Sequence, residues 1–299
     1  MSTVLSLTGI SKSYGAIQAL KNVSYEVPEG CVFGILGPNG SGKTTMLSII
    51  LDILRADSGT YSWFGQPAAS PGTRKQIGSL LETPNFYQYL SAVDNLNITH
   101  AISGRGDAAD IDRVLEVVKL TERKKSRFSA YSLGMKQRLA IAAALLGDPQ
   151  VLVFDEPTNG LDPVGIAEIR ELIKELARRG KTIIMASHLL DEVEKVCTHV
   201  AIMKRGTLLT AGPVDEVLAN EDIVEVSSTN VSQLLAVLEN FPGSTQIKQD
   251  GNRIQLFLPV GTAKLEEINR FCFEKGVTLN LLLVKKKSLE TKFFELTND

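Results

Sequence analysis

Hydrophobic positions recur along this chain with two periods, and the switches between them map its elements. Val32-Phe33-Gly34-Ile35-Leu36, Val151-Leu152-Val153-Phe154 and the stretch from Lys181 to Ala186 are largely apolar runs of strand length. Such runs predict strands covered on both faces, since a strand with one wet face would alternate. Val4 to Thr8 and Gln18 to Val27 read as further strands, an antiparallel flank with a turn at Ser11 to Gly15. Ser58 to Gly65 returns as strand and turn, and His199 to Met203 with Thr207 to Thr210 predicts a hairpin through Lys204-Arg205-Gly206. Helices are predicted at 45–51, 108–120, 139–146, 164–179 and 191–196. Ser91-Ala92-Val93-Asp94 has the spacing of a capped helix start, and Gly180 ends the helix before it. Strands alternating with helices predict an α/β fold on a parallel sheet, with ligands at the strand carboxyl ends and a mainly helical insertion over 85–138.

The rhythm changes near Asn220-Glu221. Beyond it the pattern predicts strand (Ile223 to Ser227), helix (Val231 to Phe241) and a hairpin (Thr245 to Lys248, Arg253 to Leu258) turning at Asp250-Gly251. A helix (Ala263 to Glu274), a strand (Val277 to Val284) and a last helix (Ser288 to Leu296) follow. That βαββαβ order predicts a small ferredoxin-like α+β domain. The expected organisation is therefore a domain over 1–220 and a second over 221–299.

Composition changes this picture little. The formal net charge is −2, so no global field favours nucleic acid, and no nucleic-acid partner is expected. Cys31, Cys197 and Cys272 lie far apart in sequence and match no metal or disulfide spacing, which reads as reduced thiols in a cytosolic protein. The N-terminus lacks the charged start and apolar core of a signal peptide, and Leu139 to Leu146 is far too short to span a bilayer. Action at a membrane would need another chain for the spanning part. The basic run Arg123-Lys124-Lys125-Ser126-Arg127 reads as solvated surface.

The chemistry begins at Gly37-Pro38-Asn39-Gly40-Ser41-Gly42-Lys43-Thr44, which fits G-x-x-x-x-G-K-[ST]. A buried strand precedes it and a helix starting near Thr45 follows, the context a phosphate-binding loop requires. Its glycines let backbone N–H groups turn toward a phosphate, and the helix N-terminus adds positive charge there. Lys43 can then reach the outer phosphates and the Thr44 hydroxyl can ligate Mg²⁺. Asp155-Glu156 ends a second buried strand, where a phosphate-loop NTPase needs a metal ligand. Asp155 suits the metal, and Glu156 is the general-base candidate for an attacking water. His188 ends the third strand and can hydrogen-bond a γ-phosphate. Tyr14, taken alone, reads equally as a ring stacked on a purine or as a tyrosine on a sheet edge.

In order, Tyr14, the phosphate loop, Ser132-Leu133-Gly134-Met135-Lys136-Gln137-Arg138, Asp155-Glu156, Asp162 and His188 resemble the ATP-binding subunit of ABC transporters over roughly residues 3–218. The resemblance implies a P-loop NTPase core in which Tyr14 stacks on adenine and His188 is the switch histidine. It implies that Ser132 and Gly134 form a signature loop completing a partner subunit's ATP site, and that Asp162 lies in the loop communicating between sites. Two subunits would close on ATP and open on hydrolysis, driving a separate polytopic permease from the inner face of the cell membrane.

Two departures bear on the branch. Leu133 and Met135 replace the first glycine and the glutamine of the usual Leu-Ser-Gly-Gly-Gln signature, and Glu82 stands where the family has a glutamine near Mg²⁺. An ionised carboxylate there can approach metal or water but cannot donate a hydrogen bond. Together with Glu82-Thr83-Pro84 and the C-terminal Ser288-Leu289-Glu290 to Leu296, these departures resemble the bacterial branch exporting drugs, peptides or lipid-linked sugars. The segment Glu82 to Tyr89, with the helices after it, is the expected permease contact. The alternative, an ABC-type ATPase acting on ribosomes or DNA, fits less well. Ribosome-acting relatives usually carry two such domains, and DNA-acting ones insert long coiled coils for which 45–131 is too short.

Overall fold

β1 (Thr3–Tyr14) and β2 (Ile17–Pro28) form a long antiparallel pair that turns at Gly15-Ala16. In this computed structural model, which describes residues 2–67, 70–81, 84–218, 222–285, 289 and 292–293, β1 runs through the Ser11–Tyr14 stretch read from sequence as a turn. Tertiary contacts extend it. Ser13 N–H donates to Asp57 Oδ2 (2.6 Å), and the Lys12 ammonium, 2.7 Å from Asp57 Oδ1, holds that carboxyl below the usual carboxylate range.

β3 (Val32–Leu36), α1 (Lys43–Ile50), β4 (Ser58–Trp63), β5 (Gln66–Pro67), α2 (Pro71–Lys75) and β6 (Ile77–Leu80) follow. The helical insertion holds α3 (Ala92–Ser103), α4 (Ala108–Val117) and α5 (Leu133–Leu145). Then come β7 (Val151–Asp155), α6 (Pro163–Arg178), β8 (Thr182–Ser187), α7 (Leu190–Val196), β9 (His199–Lys204), β10 (Thr207–Pro213) and α8 (Val214–Leu218). One sheet has the order β2-β1-β4-β5. The other has the order β10-β9-β3-β8-β7-β6, parallel except for its edge strand β10. β3, β7 and β8 are buried at every position, as their apolar runs predict.

α1 is wedged into the core with the two sheets. Its Met46, Leu47, Ile49 and Ile50 join one cluster with β1, β2, β3, β7 and β8 side chains. Tyr25 stacks on Phe33 at 5.3 Å across the two sheets, worth about 0.5–1.5 kcal/mol beyond area burial. The helix that carries the phosphate loop is thus clamped by both layers. In the insertion, Ser91 and Asp94 form the expected reciprocal cap of α3. α5 begins at Leu133, earlier than its alanine-rich run suggests, because Ser132 caps it by accepting from Met135 N–H (3.3 Å).

The chain divides into two compact units, Met1–Val214 and Asp215–Asp299. In the second, β11 (Asp222–Ser228), α9 (Val231–Leu238), β12 (Gln246–Asp250), β13 (Arg253–Leu258), α10 (Leu265–Glu274) and β14 (Leu279–Lys285) build an antiparallel sheet ordered β12-β13-β11-β14. Its core joins Val224, Val226, Ile254 and Leu256 to Leu234, Leu238, Ile268 and Cys272 of the helices. The expected boundary at 220/221, Glu82 and most of the predicted helix at 288–296 lie outside the described residues. Cys31, Cys197 and Cys272 are free and buried, and burial pushes the Cys31 thiol up to about 12. Among the described residues no helix is long and apolar enough to cross a membrane.

Candidate functional site

The carboxyl ends of β3, β7 and β8 converge through parallel pairing, Leu36 beside Ser187 and Asp155 beside Ala186. That register sets the loop after β3 next to Asp155-Glu156 and His188. Within the loop, two glycines are dictated by close approach. A Cβ on Gly37 would lie 2.3 Å from Ser41 Oγ and 2.6 Å from Met203 O, and Gly42 (φ +104°) would meet Ala19 O at 2.5 Å. The loop is therefore packed against β2 and β9 with no room for side chains at these points.

Lys43 is 6% exposed and donates to the carbonyls of Gly37 (2.8 Å) and Pro38 (3.4 Å), folded back over its own loop. Its Nζ stands 3.7 Å from Glu156 Oε1. Glu156 Oε2 meets His188 Nδ1 at 2.8 Å, so one carboxylate bridges the loop lysine and the histidine. Glu156 holds a left-handed backbone (φ +49°), pinned by its N–H donating to Ala186 O at 3.0 Å. For a glutamate this conformation costs about 1–2 kcal/mol. The strand ending is thereby bent so that the carboxylate faces the loop. Thr44 Oγ1 donates to Asp155 Oδ2 (2.8 Å), which joins two hard oxygen donors at the first turn of α1.

A cavity of about 810 Å³ opens over the loop, lined by Tyr14, Ile17, Asn39 to Thr45, Glu156 and Arg205, among others. Tyr14 is half exposed at its mouth, with the Lys12 ammonium 5.8 Å from the ring centroid. Buried Ser41 Oγ has no hydrogen-bond partner among the described residues, a donor left over inside a phosphate-shaped loop.

Sequence reading missed Ile17, Lys21 and Arg205 in this wall. Arg205 arrives from the β9–β10 turn, which Lys21 N–H to Gly206 O (2.8 Å) and Gly206 N–H to Ser41 O (3.0 Å) tie onto β2 and the loop. No local pattern carries that information. Ile17, 72% exposed beside Tyr14, had a signal in its position directly after the Tyr14 turn.

Ser132, Gly134 and Asp162 are not among the residues lining this cavity. Ser132 caps α5, and Asp162 caps α6 by accepting from Gly165 N–H at 2.8 Å. A methyl on Gly160 would touch Leu133 Cδ2 at 3.3 Å, so the Asp162 turn lies against the start of α5. A Cβ on Gly134 would meet nothing within 4 Å.

Residues 20–159 match the ABC transporter family. Over 99% of its length this chain is 36% identical to the bacitracin transport ATP-binding protein of Bacillus licheniformis, covering 98% of that protein. The chain belongs to the ABC transporter family. It is an ATP-binding subunit of that family, and ATP hydrolysis in the service of transport is its activity. The lantibiotic transport ATP-binding protein of Streptococcus pyogenes is 36% identical over 76% of this ABC chain and 97% of its own. Among solved structures, cbiO1 of Clostridium perfringens, part of the ABC transporter complex cbiONQ, superposes with TM-score 0.66 and 31% identity, covering 73% of this chain and 92% of that one. A dimeric post-hydrolysis cassette bound to ADP and Pi superposes with TM-score 0.64 and 26% identity, over 70% of this chain and 98% of that one.

Proposed function

We propose that this subunit powers export of a drug-like or peptide cargo through a separate polytopic permease, from the inner face of the cell membrane. The observation that carries the reading is the end-to-end match to a bacitracin transport ATP-binding protein on a chain whose phosphate loop, Glu156 and His188 converge. The loop Gly37 to Thr44 with Thr45 cradles the phosphates, Ser41 Oγ and Lys43 donate to them, and Tyr14 stacks on the adenine. The Thr44–Asp155 oxygen pair suits Mg²⁺, a hard cation that favours oxygen donors. Bound there, Mg²⁺ would neutralise charge developing on the β- and γ-phosphates. Glu82, by resemblance, is a further residue toward that metal.

Glu156 takes the proton of the attacking water. His188 orients that carboxylate through the 2.8 Å contact and donates to the γ-phosphate when protonated. Ser132 and Gly134 complete the ATP site of a second subunit. This accounts for a signature turn that is open in front and does not line its own chain's cavity. Asp162, capping α6 beside that turn, couples the two sites. The functional division is an ATP-binding domain over 1–220 and a small domain over 221–299, whose strand order and antiparallel pairing support the ferredoxin-like class. The permease docks on the segment ending at Tyr89 and the helices after it, and crosslinks from Phe86 should report the contact.

The test is recovery of tagged Glu156→Gln, trapped with ATP, from detergent-solubilised native membranes. A stoichiometric polytopic membrane protein is expected. Ribosomal proteins or DNA without a membrane protein would overturn the transport reading.

A further inference from the structure

The turn that carries Tyr14 is braced by a residue outside the nucleotide cavity. β1 pairs with β4 only as far as Ser11, which lies opposite Ser58. On its other edge, the ladder to β2 shifts register between Ile10 and Lys12 and again between Lys12 and Ser13. The last stretch of β1 before Tyr14 therefore has an interrupted ladder on one side, and among the described residues no strand on the other. Tyr14 and Ile17, at the tip, are 50% and 72% exposed. A hairpin tip so placed has little packing of its own to fix the angle of the ring.

Asp57, directly before β4, does the work of a strand there. Its N–H donates to Ser11 O (2.9 Å), its Oδ2 accepts from Ser13 N–H (2.6 Å), and its Oδ1 meets the Lys12 ammonium at 2.7 Å. Ser11, Lys12 and Ser13 are thus all tied to one residue. The Lys12 side chain is only 16% exposed, and its ammonium stands 5.8 Å from the centroid of the Tyr14 ring. At that distance the cation attracts the face of the ring. Tyr14 lines the nucleotide cavity, whereas Lys12 and Asp57 are not among the lining residues. The carboxylate therefore bears on the cavity only through the strand and the ring that it holds.

We propose that Asp57 is a positioning residue for the nucleotide base: it fixes the end of β1 and, through Lys12, the Tyr14 ring, so that the ring is already oriented when the purine arrives. The proposal rests on the reading that Tyr14 stacks on adenine, and adds the residue that orients it. Stacking depends on the relative angle and offset of the two rings. A ring on a loose tip must be ordered as the ligand binds, which lowers affinity, and a ring ordered beforehand escapes that cost. A purely structural role for Asp57, closing the corner between β1 and β4, is separable from this one. It would lower stability with no dependence on the Tyr14 ring.

The test is a double-mutant cycle on the purified chain, with ATP affinity read by calorimetry. Asp57→Ala should weaken ATP binding by about five- to tenfold, part of the loss expected for one stacked base. Its kcat at saturating ATP should stay within about twofold of wild type, because the loss falls on binding and not on the chemical step. Its affinity for magnesium tripolyphosphate, which offers phosphates and no base, should be unchanged. In the Tyr14→Ala background the same substitution should alter ATP affinity by less than about twofold. Should Asp57→Ala fail to fold, Asp57→Asn, which keeps an acceptor for Ser13 N–H, carries the same cycle and should show the same dependence on the ring. An equal loss with and without the Tyr14 ring overturns the proposal, and so does a matching loss for tripolyphosphate. Unchanged ATP affinity in Asp57→Ala, with weakened affinity in Tyr14→Ala, overturns the positioning role and leaves the stacking reading intact. Undiminished affinity in Tyr14→Ala overturns both.

Discussion

Two glycine-bearing turns of this chain look alike in sequence and behave oppositely in the fold. Gly37 opens the phosphate loop, and a methyl there would collide with Ser41 Oγ at 2.3 Å and Met203 O at 2.6 Å. Gly134 stands in the first turn of α5, and a methyl there would point into open space. The first turn is braced from within the chain: Glu156 bridges Lys43 and His188 behind it, while the buried Ser41 Oγ is left without a partner among the described residues. The second is held by its cap and lies against the Asp162 turn at Leu133, and only around Gly134 itself is it open. A closely packed glycine is required by the fold. Gly134 has room to spare within its own chain, so the fold alone does not require a glycine there, and the proposed second subunit is what would use the space.

The largest effect expected on this contrast is at the closed turn. Glu156→Gln should lower turnover by about 10²–10⁴-fold while nucleotide binding persists, measured as phosphate release against calorimetric affinity. Near-normal turnover would remove Glu156 from the base role. Lys43→Ala removes a buried donor aimed at the loop and should weaken ATP affinity by about 10²-fold, the worth of a charge-assisted contact. Unchanged affinity in calorimetry would show that the loop amides suffice.

The glycine pair sharpens the comparison directly. Gly37→Ala should lower the melting temperature and abolish nucleotide binding, because backbone and a short side chain leave nowhere for the methyl to go. Gly134→Ala should keep or slightly raise the melting temperature, since it replaces glycine in a helix at no steric cost. It should keep affinity for ATP in the monomer yet lower turnover by about tenfold or more, as one crowded contact at a packed interface costs about 1–3 kcal/mol. Full turnover in Gly134→Ala would argue that nothing packs on that turn. The smallest effect belongs to the cavity mouth. Tyr14→Ala should weaken binding by about 1–3 kcal/mol for ATP, with a similar loss for ADP, if the ring stacks on the base. A tyrosine that only covers a sheet edge would change stability and not affinity.

The same contrast explains which features were legible before the fold was known. Unbroken apolar runs at 32–36 and 151–154 are too short for helices and are bounded by turn residues, so they read as strands buried on both faces, with the loops at their ends readable too. Spacing along one chain also fixed Lys43, Thr44, Asp155 and Glu156 as a set. The start of α5 was hidden because Ser132 to Gln137 interleaves a glycine and three polar residues with Leu133 and Met135, so its cap, more than its apolar period, begins the helix.

The sequence by itself determined the buried strands, the phosphate loop and the carboxylate after β7, because each is written in neighbouring residues whose chemistry and spacing act locally. Only the tertiary structure decided that Lys43 and His188 share one carboxylate and that Arg205 enters the cavity wall. Those relations depend on strand register and on turns packed across long separations in sequence, and neither leaves a periodic trace in the residues themselves.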